Sequence, residues 1–119
     1  MDFENGKARL VLQSDTLTAF VSGEIDHHSA RGIREAIDAA LTANSPDNLI
    51  IDLSDVSFMD SSGLGLVLGR YTKAREAGIA FSVTGANERF TRMFDMAGLD
   101  RLFSYKSDKK ANKGKETKK

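Results

Sequence analysis

The fold of this 119-residue chain is decided by one stretch, LIIDLSDVSFMDSSGLG, which occupies residues 49–65. Residues 49–53 form a short, nearly continuous apolar run, which is typical of a strand buried on both faces of a sheet. After the serines and glycines, apolar residues recur at helical spacing until Gly78, at Leu64, Val67, Leu68, Tyr71 and Ala74. The stretch therefore predicts a central strand that leads directly into a helix over residues 62–77.

The segments on both sides extend this pattern into an α/β protein. The other predicted elements are strands at 9–12, 17–21 and 79–83, amphipathic helices at 29–43 and about 90–97, and a final edge strand at 102–103. The resulting order, β-β-α-β-α-β-α-(β), predicts a mixed central sheet of four to five strands with helices packed on it. The strands are expected to be parallel where a helix connects them.

The composition is that of a single globular domain. Hydrophobic residues make up 40% of the chain and charged residues 29%, which are ordinary proportions. Because the chain has no cysteine, a disulfide framework, a thiolate zinc site and a cysteine nucleophile are excluded. No apolar run approaches the length of a membrane span, and the first residues are acidic and polar, so we expect a cytoplasmic protein without a membrane partner.

Charge divides the chain into a body and a tail. Residues 106–119 carry seven lysines against two acidic residues, a net charge of +5, so the first 105 residues carry −5 in a chain that is neutral overall. The tail has no large apolar residue whose burial could offset the entropy of ordering it. We therefore expect a domain at 1–105 and a disordered lysine-rich tail at 106–119, with no direct DNA binding.

The segment at 60–65 allows two interpretations. In the first, one of the two serines caps the helix, Asp60 complements the positive end of its dipole, and the glycines permit close packing. In the second, the helix N-terminus accommodates a phosphate, either bound or attached to a serine. A phosphate on Ser61 would add negative charge to an acidic body, and we hypothesise that Ser61 is a switch that changes binding while the fold stays intact.

Two other patterns are assigned to packing. Gly63, Gly65 and Gly69 do not have the spacing of a phosphate-binding loop, so they are predicted to permit close contact between helix and sheet. The methionines and phenylalanine at 93–96 could form a soft partner-binding face, but their helical spacing favours a stripe in the core.

A second polar cluster, Glu24-Ile25-Asp26-His27-His28, follows a predicted strand. Loops at the carboxyl ends of strands gather at one edge of an α/β sheet, so we expect this cluster to lie near Ser61. A hydrolase using Ser61, a histidine and Asp26 is disfavoured, because the chain lacks a Gly-x-Ser-x-Gly elbow. A metal site is also disfavoured, because adjacent histidines on a helix point about 100° apart and no further ligand is evident. The histidines are expected at the surface or as caps of the helix.

Four segments together resemble one family: GEIDHH at 23–28, FMDSSGLG at 58–65, LGRY at 68–71 and FDMAGL at 94–99. They resemble the anti-sigma factor antagonists of the STAS domain family, over residues from about 7 to 105. The paired histidines and LGRY are similar to the sporulation branch, whereas the Asp-Ser-Ser-Gly core is shared with antagonists of the general stress response, so the branch stays open.

The resemblance implies a partner-switching protein that is not an enzyme and has no cofactor. In the family, the unphosphorylated antagonist binds an anti-sigma factor that is also an ATP-dependent serine kinase, and a sigma factor is freed. Phosphorylation of the serine that corresponds to Ser61 releases the antagonist, and a PP2C-type phosphatase resets it.

The resemblance also implies a docking surface beside Ser61. Partner contacts are implied for Glu24, Asp26, His27, Ser62, Gly63 and Leu64. Asp60 is expected either to orient the acceptor hydroxyl or to complement the helix dipole. The acidic body would suit a basic patch on the kinase and give fast, salt-sensitive association. The alternative function is a regulatory STAS domain that binds a nucleotide or another small ligand.

Overall fold

The computed structural model describes residues 2–5 and 7–106. Its elements, in chain order, are β1 (Asp2–Asn5), β2 (Ala8–Gln13), β3 (Thr16–Ile25), α1 (His27–Asn44), β4 (Asn48–Met59), α2 (Ser61–Glu76), β5 (Ala80–Thr84), α3 (Glu88–Met96) and a 3-10 turn (Leu99–Arg101). No helix in these two ranges is long and apolar enough to cross a membrane. The predicted tail lies outside the described residues, apart from Lys106.

The sheet is mixed and its five strands lie in chain order, which confirms the predicted fold class. β1 pairs with β2 and β2 with β3 in the antiparallel sense, whereas β3 with β4 and β4 with β5 are parallel. The parallel pairs are those whose strands α1 and α2 connect, as expected for helical crossovers. β1 escapes prediction because only one of its four residues is apolar, so it carries no strand periodicity.

The predicted edge strand at 102–103 is wrong. Gly98, with φ of +78°, ends α3 in the left-handed region that favours glycine, and the 3-10 turn follows at once. Within the described part of the chain, this segment meets the sheet through a single bridge between Ser104 and Ser82.

Aromatic packing holds this segment in place instead. The ring of Phe103 lies edge-on to Phe81 of β5, with 4.8 Å between centroids, and Tyr105 lies edge-on to Phe94 of α3 at 5.0 Å. The buried Tyr105 hydroxyl donates a hydrogen bond of 2.5 Å to Asp95 Oδ1. This bond lowers the pKa of Asp95, while burial, followed by the same bond, raises the pKa of Tyr105.

α1 and α2 contact each other and pack side by side on the sheet, α1 over β2 and β3, and α2 over β4 and β5. The apolar stripe predicted for α1 is confirmed, since its buried residues are Ile33, Ala36, Ile37, Ala40 and Leu41. In α2 the predicted stripe is partly wrong, because Leu68 is exposed whereas Leu66 and Arg70 are buried. α2 covers the sheet with one face and meets α1 with another, so a single stripe does not describe its burial.

The core stripe predicted at 93–96 is also only partly correct. Phe94 is fully buried and Met93 packs against the core, but the side chain of Met96 is 84% exposed. Met96 is the last residue of α3 and lies beyond the part of the helix that the core covers.

Candidate functional site

The two polar segments meet where β3 and β4 end. β4 is longer than the predicted run 49–53 and continues to Met59, which pairs with Ile25 at the end of β3. The backbone N–H of Asp60 donates to the carbonyl of Ile25 at 3.3 Å. Since α1 and α2 start directly after these strand ends, they begin side by side, and the expected proximity of the Glu24–His28 cluster to Ser61 is confirmed.

Asp26 caps α1. Its carboxylate accepts hydrogen bonds of 3.0 Å from the backbone N–H groups of His28 and Ser29, and the Ser29 hydroxyl oxygen accepts one from the Asp26 backbone. The bond from the Ser29 backbone is the main reason that the pKa of Asp26 is lowered. His27 and His28 are exposed in the first turn and do not cap it, so of the two expected positions they occupy the surface.

Asp60 caps α2, and the prediction that a serine would do so is wrong. Its backbone is extended, as a cap requires, and its carboxylate accepts a hydrogen bond of 2.7 Å from the Ser62 backbone N–H. Ser61 and Ser62 are therefore the first two helical residues. Ser61 is exposed, and its hydroxyl makes no hydrogen bond with any described residue. The hydroxyl is free at the positive end of a helix.

The glycines of α2 divide into two kinds. Gly63 is buried against the strand ends, and a Cβ there would overlap Met59 and lie 3.1 Å from Ile25 Cγ2, so close packing is confirmed at this position. At Gly65 and Gly69 a Cβ would meet no atom within 4 Å. The prediction of close helix–sheet contact is wrong for these two residues, because they face away from the sheet.

A groove of about 660 Å³ separates the first turns of α1 and α2. Its lining includes His27, His28, Arg31, Arg34, Ser62 and Arg70, and Gly65 and Gly69 open onto it. Two of the predicted site residues, His27 and Ser62, thus share this groove. The predictions missed the three arginines, although Arg31 and Arg34 share a helix face with His27 at spacings that place residues together on a helix.

An exposed aromatic ring lies beside the same strand ends. Phe58 is 45% exposed near the end of β4 and pairs in register with Glu24 of β3, which is also exposed. Leu64, on the first turns of α2, is half-buried against the core. The surface around Ser61 therefore combines an acidic residue, an aromatic ring and an exposed serine.

The described residues contain no group of three or more His, Asp or Glu side chains placed to hold a metal ion. The Asp26 carboxylate is occupied by backbone N–H groups, and no described hydrogen bond links Ser61 to either histidine. The arrangement is that of two capped helices with an exposed hydroxyl between them.

Comparison with known proteins places this architecture in a family. Residues 7–112 match the STAS domain. The chain belongs to the STAS domain family. An anti-sigma F factor antagonist of Paenibacillus polymyxa is 37% identical over 82 residues, which cover 69% of this chain and 70% of the relative. An anti-sigma-B factor antagonist of Listeria monocytogenes is 33% identical over 94 residues, 79% of this chain and 82% of the relative.

Solved structures agree with this assignment. The anti-sigma factor antagonist SpoIIAA in its unphosphorylated form superposes with a TM-score of 0.71 and 27% identity, covering 90% of this chain and 94% of the other. The phosphorylated form of SpoIIAA, described as a Bacillus cell fate determinant, superposes with a TM-score of 0.68 and 26% identity, covering 92% and 99% of the two chains. In this STAS domain, the exposed Ser61 and the basic groove occupy the same end of the sheet.

Proposed function

We propose that this STAS domain is an anti-sigma factor antagonist whose binding is controlled by phosphorylation of Ser61. Unphosphorylated, it binds an anti-sigma factor that is also a serine kinase and so frees a sigma factor in the cytoplasm. Phosphorylated, it is released, and a PP2C-type phosphatase restores it. The domain acts by binding and has no catalysis of its own. The observation that carries the proposal is the exposed Ser61, whose hydroxyl is used by neither of the helix caps.

The cap arrangement supports a switch that leaves the fold unchanged. Asp60 already satisfies the Ser62 N–H, so modification of the Ser61 hydroxyl removes no hydrogen bond of the described structure. A phosphate at the first helical residue lies at the positive end of the dipole, which favours negative charge. The phosphate should instead weaken the binding of the partner, because it places almost two negative charges on the docking surface.

The names of the relatives support the identity of the partner. The Paenibacillus and Listeria proteins are called antagonists of anti-sigma F and anti-sigma-B factors, and SpoIIAA has been solved in unphosphorylated and phosphorylated forms. The two relatives are named as antagonists of different anti-sigma factors, so the proposal leaves the sporulation and stress branches open.

The proposed docking surface is centred on Ser61. We propose direct contacts from Glu24, His27, Ser62 and Leu64, and from the rim of the Asp26 cap. Gly63 is buried, so its proposed role is to let α2 approach the strand ends and set the position of Ser61. Asp60 is assigned to the cap that orients this turn. Phe58 joins the surface as an exposed aromatic ring, because aromatic residues are enriched in protein interfaces.

The test is to incubate the protein with ATP and the candidate anti-sigma kinase from the same genome. Intact-mass analysis and peptide mapping then locate the modification, and gel filtration follows the complex. We expect one phosphate, confined to Ser61, with loss of the complex. Ser61→Ala should bind without being modified, and Ser61→Asp should bind weakly.

Ser62→Ala is the matched control for the position of the phosphate, because it changes the adjacent serine and leaves the proposed acceptor in place; since Ser62 is also a proposed contact, only the modified residue is compared, not the affinity. It should be phosphorylated at the wild-type site. A phosphate found on Ser62, or a Ser61→Asp variant that binds the kinase as tightly as the wild type, contradicts the proposal.

A further inference from the structure

The groove between α1 and α2 gathers more positive charge than the neighbouring carboxylates neutralise. Arg31 and Arg34 line it from α1 and Arg70 from α2, and none of its described lining residues is acidic. Arg31 pairs with Glu35 along its own helix, at 3.2 Å. Arg34 makes no ion pair with a carboxylate of the described residues. The groove therefore has a net positive charge in a domain whose overall charge is negative.

Arg70 is the buried member of this set. Its side chain is 9% exposed, and its Nε lies 3.2 Å from Asp38 Oδ1. Despite this short distance, the two groups are not aligned for a hydrogen bond. Nε and Nη1 of Arg70 and Oδ1 of Asp38 are all buried without a hydrogen-bond partner in the described structure. Burial lowers the pKa of Arg70, Asp38 opposes this, and the nearby Arg34 lowers it further. The guanidinium therefore lacks acceptors, and Nη2, which is not among these buried atoms, is the nitrogen that an anion in the groove can reach.

The glycines of α2 keep the groove open. Glycine in a helix interior is less stable than alanine, so Gly65 and Gly69 reduce the stability of α2. Packing within the domain does not require them, because a Cβ at either position would meet no atom within 4 Å. Their spacing of four residues places both on the face of α2 that lines the groove. A ligand could thus approach the helix backbone closely.

We propose that this α1–α2 groove binds a phosphate-class oxyanion, held by Arg34 and Arg70 over the Gly65–Gly69 face of α2. Guanidinium groups bind tetrahedral oxyanions through paired, charge-assisted hydrogen bonds. The N-terminal turns of α1 and α2 border the groove and add the positive ends of two helix dipoles. The volume of about 660 Å³ exceeds what a bare ion needs, so a phosphate carried by a small organic molecule also fits. The proposal is independent of phosphorylation at Ser61.

The test uses the isolated protein and inorganic phosphate at constant ionic strength, followed by amide chemical shifts in a two-dimensional NMR spectrum. We expect saturable shifts at Ser62, Gly65 and Gly69. Arg34→Gln should weaken the affinity about tenfold, the effect of one lost charge-assisted hydrogen bond. Arg92→Gln is the control, because Arg92 is an exposed arginine on α3, outside the groove. Its affinity should equal that of the wild type.

Alanine variants of the helix glycines give a second, independent readout. Gly69→Ala should raise the melting temperature by about 4 °C and lose most of the phosphate affinity, because its methyl group enters the groove. Gly32→Ala is matched to it, since Gly32 lies within α1, outside the groove lining, and a Cβ there meets nothing within 4 Å. It should raise the melting temperature equally and keep the affinity.

A parallel titration with glycerol phosphate separates the two sources of the anion. Tighter binding than inorganic phosphate indicates an organic phosphate ligand, and equal binding indicates free phosphate. Shifts that do not saturate, or equal affinity in the wild type, Arg34→Gln and Gly69→Ala, overturn the proposal.

Discussion

The cap of α2 gives the sharpest test of the structure, because Asp60 and Ser61 are adjacent and only one of them has a structural hydrogen bond. The Asp60 carboxylate accepts a hydrogen bond of 2.7 Å from the Ser62 N–H, and replacing such a cap by alanine lowers the free energy of unfolding by about 1 kcal/mol. The lost negative charge at the helix N-terminus costs about 0.5 kcal/mol more. We therefore expect Asp60→Ala to lower the free energy of unfolding by about 1.5 kcal/mol, or the melting temperature by roughly 6 °C.

Two further variants separate the contribution of the cap hydrogen bond from that of the negative charge, and test whether Ser61 contributes to stability. Asp60→Asn keeps an oxygen acceptor and loses only the charge, so it should cost about 0.5 kcal/mol. Ser61→Ala removes a hydroxyl without a described partner and should stay within about 0.5 kcal/mol of the wild type. Urea unfolding at pH 7, followed by far-ultraviolet circular dichroism, measures all three, since the chain has no tryptophan for fluorescence.

The result that would refute this reasoning is a reversed order. If Ser61→Ala were as destabilising as predicted for Asp60→Ala, the serine would be the cap, and its hydroxyl would not be free for modification. An Asp60→Ala variant as stable as the wild type would show that the cap hydrogen bond contributes nothing.

The remaining predictions concern packing, pH and docking. Gly63→Ala should destabilise the domain by about 1 to 3 kcal/mol in urea unfolding, because the added Cβ overlaps the side chain that ends β4. Tyr105→Phe should be less stable than the wild type at pH 7. The bond from Tyr105 lowers the pKa of Asp95 in the folded state. The stability difference between wild type and variant should therefore be complete above about pH 4, the pKa of an aspartate in the unfolded chain, and should shrink as the pH falls through the lower pKa of the folded state. Acid titration followed by circular dichroism measures this difference. Phe58→Ala should weaken kinase binding about tenfold or more in calorimetry without loss of stability, whereas Leu102→Ala, similarly exposed but outside the proposed surface, should bind normally.

Local periodicity was sufficient for most of the fold. The alternation and apolar runs of the strands, and the 3.6-residue stripe of α1, depend on neighbours along the chain, so the sequence pattern predicts them. Periodicity failed to predict which residues are buried in a helix that packs against two different elements. α2 meets both the sheet and α1, so Leu68 is exposed and Arg70 is buried, against the predicted stripe. At 102–103, aromatic contacts replaced the expected strand hydrogen bonds.

The sequence by itself determined the α/β order, the family and the serine proposed as the switch, because Met59-Asp60-Ser61-Ser62-Gly63 is a local motif at a strand–helix junction. The tertiary structure alone decided which side chain caps α2 and where the charges meet. The cap depends on the backbone angles of Asp60, which the motif does not state. Arg34 and Arg70 are distant in the chain and become neighbours because parallel pairing of β3 and β4 starts α1 and α2 side by side.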